Sequence, residues 1–186
     1  HTKSELSSRR FVAWHMGRNP THQIISATYS GELANMFGYD VRAVMQSQEY
    51  ANVFENVTLA PDSKAVGTWR TNHYGVYVSV GVGGAITGKG AHIALIDDPV
   101  KNREEADSQV IRDKTWNWYK STLYTRLMPK GAIIVILTRW HEDDLAGRLL
   151  QEQDHVGDQW HIVNLPAINK AGEALWPRWY PIEALQ

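Results

Sequence analysis

Two adjacent carboxylates, Asp97 and Asp98, follow an aliphatic run over residues 93–96. A continuous apolar run bounded by turn residues is typical of a strand buried on both faces. Carboxylates at the end of such a strand suit phosphoryl transfer, in which one orients hydrated Mg²⁺ and the next polarises the attacking water, as in a Walker B element. The alternative is that both acids only end the strand and begin the turn before Pro99.

A lysine and a serine near the first residue, Lys3 and Ser4, lead into a predicted helix. Phosphate-binding loops end in Gly-Lys-Ser/Thr directly before a helix. There the lysine reaches the phosphates, the hydroxyl ligates Mg²⁺ and the helix N-terminus adds its dipole. Thr2 stands where such a loop has its last glycine, so only the end of the motif is present. An exposed terminal turn is the alternative interpretation.

Thr138 follows a second aliphatic run, over residues 131–137. In ATP motors of the additional-strand type, a polar residue at the tip of the strand after Walker B senses the γ-phosphate. A threonine hydroxyl suits that task because it can both donate and accept a hydrogen bond. Thr138 and its neighbours can equally cap the helix predicted from about residue 142.

Lys89 lies in a glycine-rich loop, residues 81–90, just before the strand that carries the paired acids. Glycines allow the backbone to approach a phosphate or a neighbouring subunit. Lys89 is therefore a candidate for a finger acting in trans or for a contact to DNA phosphate. A solvated lysine in a hairpin is the alternative.

His141 and Asp143 could instead be metal ligands of a metal hydrolase, but no HExxH-like spacing supports that interpretation.

Strand and helix patterns alternate along the chain, which predicts an α/β fold with a mainly parallel sheet flanked by helices. Ligands bind at the carboxyl ends of the strands in such sheets, which is where the paired acids and Thr138 lie. The pattern predicts strands at residues 23–27, 66–71, 74–80, 93–96, 131–137 and 160–163. It predicts helices that begin near residue 3, at residue 32, at the Asn102 capping box and near residue 142.

Composition narrows the class of protein. The 186 residues carry a net charge of −1 and no cysteine. This balance excludes a small, strongly basic nucleic-acid binder, a disulfide-stapled secreted domain and a thiol enzyme. No apolar run is long enough to span a membrane and no signal peptide is evident, so a soluble cytoplasmic protein is expected.

Motifs along nearly the whole chain resemble the large terminase subunit of tailed bacteriophages and prophages. The segments that carry this resemblance are residues 2–6, 24–30, 84–90, 97–102, 118–119, 137–146 and 175–181. The resemblance implies the N-terminal DNA-packaging ATPase, a P-loop NTPase of the additional-strand (ASCE, RecA-like) type. Residues 1–186 would be one ATPase domain that begins inside the Walker A loop, with the linker to a nuclease domain starting at about residue 165.

Site roles carry over residue by residue. Lys3 and Ser4, with Thr2, match the ATP-binding Walker A positions, and Ser4 and Asp97 match the Mg²⁺ ligands. Asp98 takes the place of the catalytic carboxylate, Thr138 that of the coupling residue, and Lys89 a basic position before Walker B. Many terminases have Glu at the catalytic position, so Asp98 is one methylene shorter.

The function expected from this resemblance is ATP-driven translocation of double-stranded DNA into procapsids. The implied partners are DNA, the portal protein, the small terminase subunit and further copies of the chain in a ring on the portal, in the cytoplasm of a bacterial host. The alternatives are a helicase-like DNA-remodelling ATPase and a non-catalytic scaffold with an ATPase fold.

Overall fold

A computed structural model describes residues 2–63, 65–155 and 157–185. The chain divides into two compact units, His1–Arg148 and Leu149–Gln186. Of the predicted linker, Gln186 lies outside the described residues.

The first unit is built on a five-stranded sheet in the order β2-β3-β1-β4-β5. Strands β3, β1, β4 and β5 are parallel, and β2 pairs antiparallel with β3. This confirms the predicted α/β class, and β2 and β3 lie within the strands predicted at residues 66–71 and 74–80. The strands are β1 (Gln23–Thr28), β2 (Thr68–Arg70), β3 (Val76–Gly81), β4 (Ala91–Asp97) and β5 (Leu127–Ile136).

One helix precedes β1, and further helices lie between β1 and β2 and between β4 and β5. The first begins with a π-helical stretch, Glu5–Arg10, which continues into α1 (Phe11–Arg18). The others are α2 (Gly31–Met45), α3 (Gln48–Val53), α4 (Arg103–Asp107), α5 (Gln109–Trp118) and α6 (Leu145–Gln153). Three short helical stretches complete the set: Tyr119–Leu123 (π), Tyr124–Arg126 (3-10) and Ile182–Ala184 (3-10).

The predicted capping box at Asn102 is confirmed. The Asn102 side chain accepts a hydrogen bond from Glu105 N at 3.0 Å, and Glu105 Oε2 accepts one from Lys101 N at 2.8 Å. The first bond satisfies a backbone donor that the first turn of a helix leaves without a partner, whereas Lys101 N lies one residue before the Asn102 cap. This helix, α4, ends at Asp107, and α5 begins after Ser108.

The main core lies between the sheet and the helices α1, α2 and α3. Alternate residues of each strand face the same side of a sheet. Ile24 in β1 and Leu95 in β4 are fully buried on this side, and the ring of Trp69 stacks on that of Tyr77 with centroids 4.7 Å apart. Other members of this core are Val12, Ala13, Met16, Val41, Met45, Tyr50, Val57 and Ile93.

The strand predicted at residues 160–163 is wrong. These residues form neither a helix nor a strand, and Ile162 and Val163 are 61% and 69% exposed. A run of this kind becomes a strand only where a neighbouring strand supplies backbone partners, and the described residues of the second unit offer none there. Among the described helices, none is long and apolar enough to cross a membrane.

Candidate phosphate site

The parallel strands place several of the predicted site residues at one edge of the sheet. β4 and β5 run side by side, with Asp97 opposite Ile136, so both strands end at the same level. Thr138 follows two residues later, and its backbone N–H donates to Asp98 Oδ1 at 3.4 Å. The paired acids and Thr138 are therefore neighbours, as expected for the carboxyl ends of parallel strands.

Asp97 is a buried carboxylate with one unpaired oxygen. The residue is 1% exposed, and the Ser8 hydroxyl donates to its Oδ2. Its Oδ1 is buried and has no hydrogen-bond partner among the described residues. Burial raises the pKa of the Asp97 carboxyl, the Ser8 and Ser4 hydroxyls oppose that rise, and the charge on Asp98 adds to it. A buried oxygen without a donor is the arrangement that a cation or a donor ligand stabilises.

Lys3 reaches across to the end of β5. Its ammonium donates to the carbonyl oxygen of Leu137 and to Thr138 Oγ1, both at 3.2 Å. Thr2 lies just before the helix, where its carbonyl oxygen accepts a hydrogen bond from Leu6 N at 3.0 Å. The beginning of the first helix, and with it Lys3 and Ser4, thus lies against the edge that carries Asp97 and Thr138.

Asp98 is held by its backbone at the tip of β4. Its N–H donates to Ile136 O at 2.8 Å, and its carbonyl oxygen accepts from Tyr29 N at 3.0 Å. Its φ angle is +46°, in the left-handed region that Asp tolerates better than most residues. Both neighbouring strands therefore fix the direction in which the carboxylate leaves the sheet.

A small cleft opens beside Asp98. Its walls come from the turn after β4, the helices α4 and α5, and the segment after β5. The residues that line it are Asp98, Pro99, Val100, Ala106, Arg112, Thr115, Leu137, Thr138, Trp140, Asp144 and Leu145. Both Asp98 and Thr138 are thus accessible from this cleft.

Lys89 lies at the opposite side of the sheet, near the N-terminal end of β4. It precedes β4 by two residues, whereas the paired acids end that strand. A strand of seven residues spans about 20 Å at ~3.3 Å per residue. The structure therefore brings Thr2, Lys3, Ser4, Asp97, Asp98 and Thr138 to one edge and does not bring Lys89 there.

Sequence reasoning missed Ser8, which is fully buried and bonded to Asp97. Its signal was present, since residues four apart lie on the same face of a helix and Ser8 follows Ser4 by that interval. It also missed that Asp143 pairs with arginines, at 2.7 Å from Arg148 and 3.1 Å from Arg112. The described residues contain no group of three or more acidic or histidine side chains that could hold a metal ion.

Comparison with known proteins decides the family. A family model for the N-terminal part of the terminase large subunit, T4likevirus-type, matches residues 3–179. The chain belongs to this terminase family. The match covers almost all of the chain, so the predicted resemblance is confirmed.

Among solved structures, the large terminase of bacteriophage HK97 is similar to this terminase chain, with a TM-score of 0.45 and 19% sequence identity. The match covers 78% of this chain, which spans 29% of the length of the HK97 protein. A search of curated proteins found no match.

Proposed function

We propose that this terminase domain hydrolyses ATP with Mg²⁺ to drive double-stranded DNA into phage procapsids, as a P-loop NTPase of the additional-strand type. The observation that carries the proposal is the meeting of Lys3, Asp97 and Thr138 at one sheet edge. Lys3 Nζ lies 3.2 Å from Thr138 Oγ1, and Asp97 keeps a buried oxygen without a partner.

The residues at this edge fit a magnesium ion. Mg²⁺ prefers carboxylate, hydroxyl and water oxygens and usually keeps several of its waters. Ser4 and Asp97 supply a hydroxyl and a carboxylate, and Asp97 Oδ1 is free of protein donors within the described residues. When bound, the ion would supply charge neutralisation at the phosphates.

Lys3 and Asp98 would have different roles, one toward the phosphates and the other toward the attacking water. Lys3 is the cation placed for the phosphates, and binding them would exchange its present bonds to Leu137 O and Thr138 Oγ1 for bonds to phosphate oxygens. Asp98 would hold and polarise the attacking water from its fixed position at the tip of β4. Because it is one methylene shorter than Glu, the water must lie closer to the strand or be reached through a second water.

Thr138 would act as the sensor of the γ-phosphate. Its hydroxyl contacts the Lys3 ammonium, and its N–H contacts the Asp98 carboxylate. A displacement of Lys3 or of Asp98 would therefore move Thr138 and the segment that leads to α6. Positioning and charge stabilisation, rather than covalent chemistry, carry most of a phosphoryl transfer.

Lys89 would act outside this chain's own site. At the far edge of the sheet it would contact a neighbouring subunit of a ring or a DNA phosphate. The partners proposed with this function are DNA, the portal, the small terminase subunit and further copies of the chain, in the cytoplasm of the bacterial host.

The test is ATP hydrolysis by the full-length terminase subunit that contains this domain. Asp98→Asn should lower kcat by about 10²- to 10⁴-fold, the usual contribution of a positioned base, while Mg-ATP still raises the Tm. Lys3→Ala should abolish that thermal shift. Asp62→Asn removes an exposed carboxylate elsewhere and should leave hydrolysis unchanged. Wild-type rates in Asp98→Asn would contradict the assignment of Asp98.

Two alternatives give different results in the same protein. A helicase-like remodelling enzyme would unwind a forked DNA substrate, whereas a packaging motor translocates along duplex DNA without separating the strands. A non-catalytic scaffold would show no thermal shift with Mg-ATP.

A further inference from the structure

The segment between β5 and α6, residues 137–144, has no helical or strand structure of its own. Lys3 and Asp98 hold its first residues at the candidate site, through Leu137 O and Thr138. The position of Thr138 therefore depends on what holds the other end of the segment. That end is Asp143.

Asp143 is bonded to two arginines at once. Arg148 donates from Nε to Oδ1 and from Nη2 to Oδ2, both at 2.7 Å, and Arg112 Nε donates to Oδ2 at 3.1 Å. The arginine side chains are only 16% and 10% exposed. Hydrogen bonds from Arg148, followed by that from Arg112, lower the pKa of Asp143 to about 2. The Asp143 carboxylate is therefore charged at neutral pH, as both arginines are. Bidentate and charge-assisted bonds of this kind fix geometry more firmly than neutral ones.

The same arginines join the segment to the helices across the cleft. Arg112 Nη1 donates to Ala106 O in α4 at 2.7 Å, and Arg148 Nη2 donates to Asp113 in α5 at 2.7 Å. Arg112 lines the same cleft as Asp98 and Thr138. The cleft wall and the segment that carries Thr138 are thus connected through one carboxylate.

We propose that Asp143, Arg112 and Arg148 form a clamp of positioning residues, which holds Thr138 and the Asp98 carboxylate in the geometry that hydrolysis requires. This inference rests on the proposed ATPase function and adds residues that do not touch the nucleotide. Loosening the clamp removes the tie of Asp143 to Arg112 in α5, and the hydrogen bond from Thr138 N to Asp98 Oδ1, already 3.4 Å long, would be the first to lose its alignment.

The clamp should affect turnover more than nucleotide binding. The proposed binding groups Lys3, Ser4 and Asp97 lie on the first helix and inside β4, and none of them is bonded to the clamp. Thr138 and Asp98 are the groups whose positions the clamp would hold. Small displacements of reacting groups cost large factors in rate, so kcat should fall while affinity for the nucleotide is kept.

The experiment measures kcat and the affinity for a non-hydrolysable ATP analogue with Mg²⁺ in the full-length subunit. Asp143→Asn should lower kcat at least about tenfold and change the analogue Kd less than about twofold. Arg112→Gln, which removes one of the three contacts, should act in the same direction, and the double variant should be no slower than Asp143→Asn alone. Asp143→Glu should recover most of the rate. Asp62→Asn, which breaks an exposed Arg–Asp pair, is the matched control and should behave as wild type.

The possible results separate the clamp from the proposed function. An active wild type with unchanged kcat in Asp143→Asn, or a kcat and an affinity that fall together, would overturn the clamp alone. If Asp143→Asn does not fold, Arg112→Gln carries the same test. A wild type that hydrolyses no ATP would overturn the proposed function, and the role of the clamp with it.

Discussion

Replacing Ser8 with alanine isolates the energetic cost of the buried Asp97 carboxylate. Ser8 is fully buried, and its hydroxyl is the donor to Asp97 Oδ2, while Asp97 Oδ1 has no partner among the described residues. The variant Ser8→Ala removes the donor to Oδ2 at a place that is closed to solvent. Leaving a buried acceptor unsatisfied costs about 1–3 kcal/mol, and more when the acceptor is charged. We therefore expect the free energy of unfolding to fall by about 2 kcal/mol.

Urea denaturation followed by tryptophan fluorescence measures this loss. With a slope of about 2 kcal/mol/M, the midpoint should fall by about 1 M. Ser7→Ala is the matched control, because the Ser7 hydroxyl only donates to Lys3 O within the same helix, at 2.6 Å. That control should change stability by less than about 0.5 kcal/mol. An equal, small effect of the two substitutions would refute the view that Asp97 is a buried charge short of donors.

Two other predictions concern parts of the fold away from the site. Burial, followed by neighbouring imidazoles, lowers the pKa of His92 and of His15, so the unfolded chain binds more protons and stability should fall as the pH drops below about 6.5. In the wild type, Gln23 N donates to His92 Nδ1 at 2.9 Å, and His92→Asn keeps an acceptor for this bond. The variant should weaken the dependence of stability on pH between pH 7.5 and 5.5, measured by urea titration. An unchanged pH dependence would contradict the role of His92. Gly38→Ala in α2 would place a Cβ 2.9 Å from Val66 O. It should therefore lower the free energy of unfolding by about 1–3 kcal/mol, despite the better helix propensity of alanine. A higher Tm in a thermal scan would contradict this.

Much of the sheet was predictable because its central strands are buried on both faces. The aliphatic run that ends at Asp97 permits few other structures, and the capping box at Asn102 marks its helix by local chemistry alone. The run before Thr138 also forms a strand, but it is the half-buried edge strand β5. The run at residues 160–163, Trp-His-Ile-Val, also suggests a strand, but no strand lies beside it in the part of the chain that the structure describes. Pairing depends on residues far along the chain, and composition does not record it.

The candidate site was predictable in its types of residue but not in its contacts. Lys3 lies more than 130 residues from Thr138 in the chain, yet their side chains touch. Helical spacing from Ser4 pointed to Ser8, whereas no local pattern links Arg112 to Asp143. Their ion pair requires α5 to lie across the cleft from the segment after β5, which only the packed structure establishes.

The most direct test of the ATPase assignment is a crystal structure of the full-length terminase subunit with Mn²⁺ and a non-hydrolysable ATP analogue. Anomalous scattering locates the metal without assumptions about its ligands. The account predicts a Mn²⁺ peak beside Ser4 and Asp97, with Lys3 on the phosphates and Asp98 facing the γ-phosphate. A nucleotide bound away from the carboxyl edge of β4 and β5, or a metal without Asp97 near it, would contradict the account.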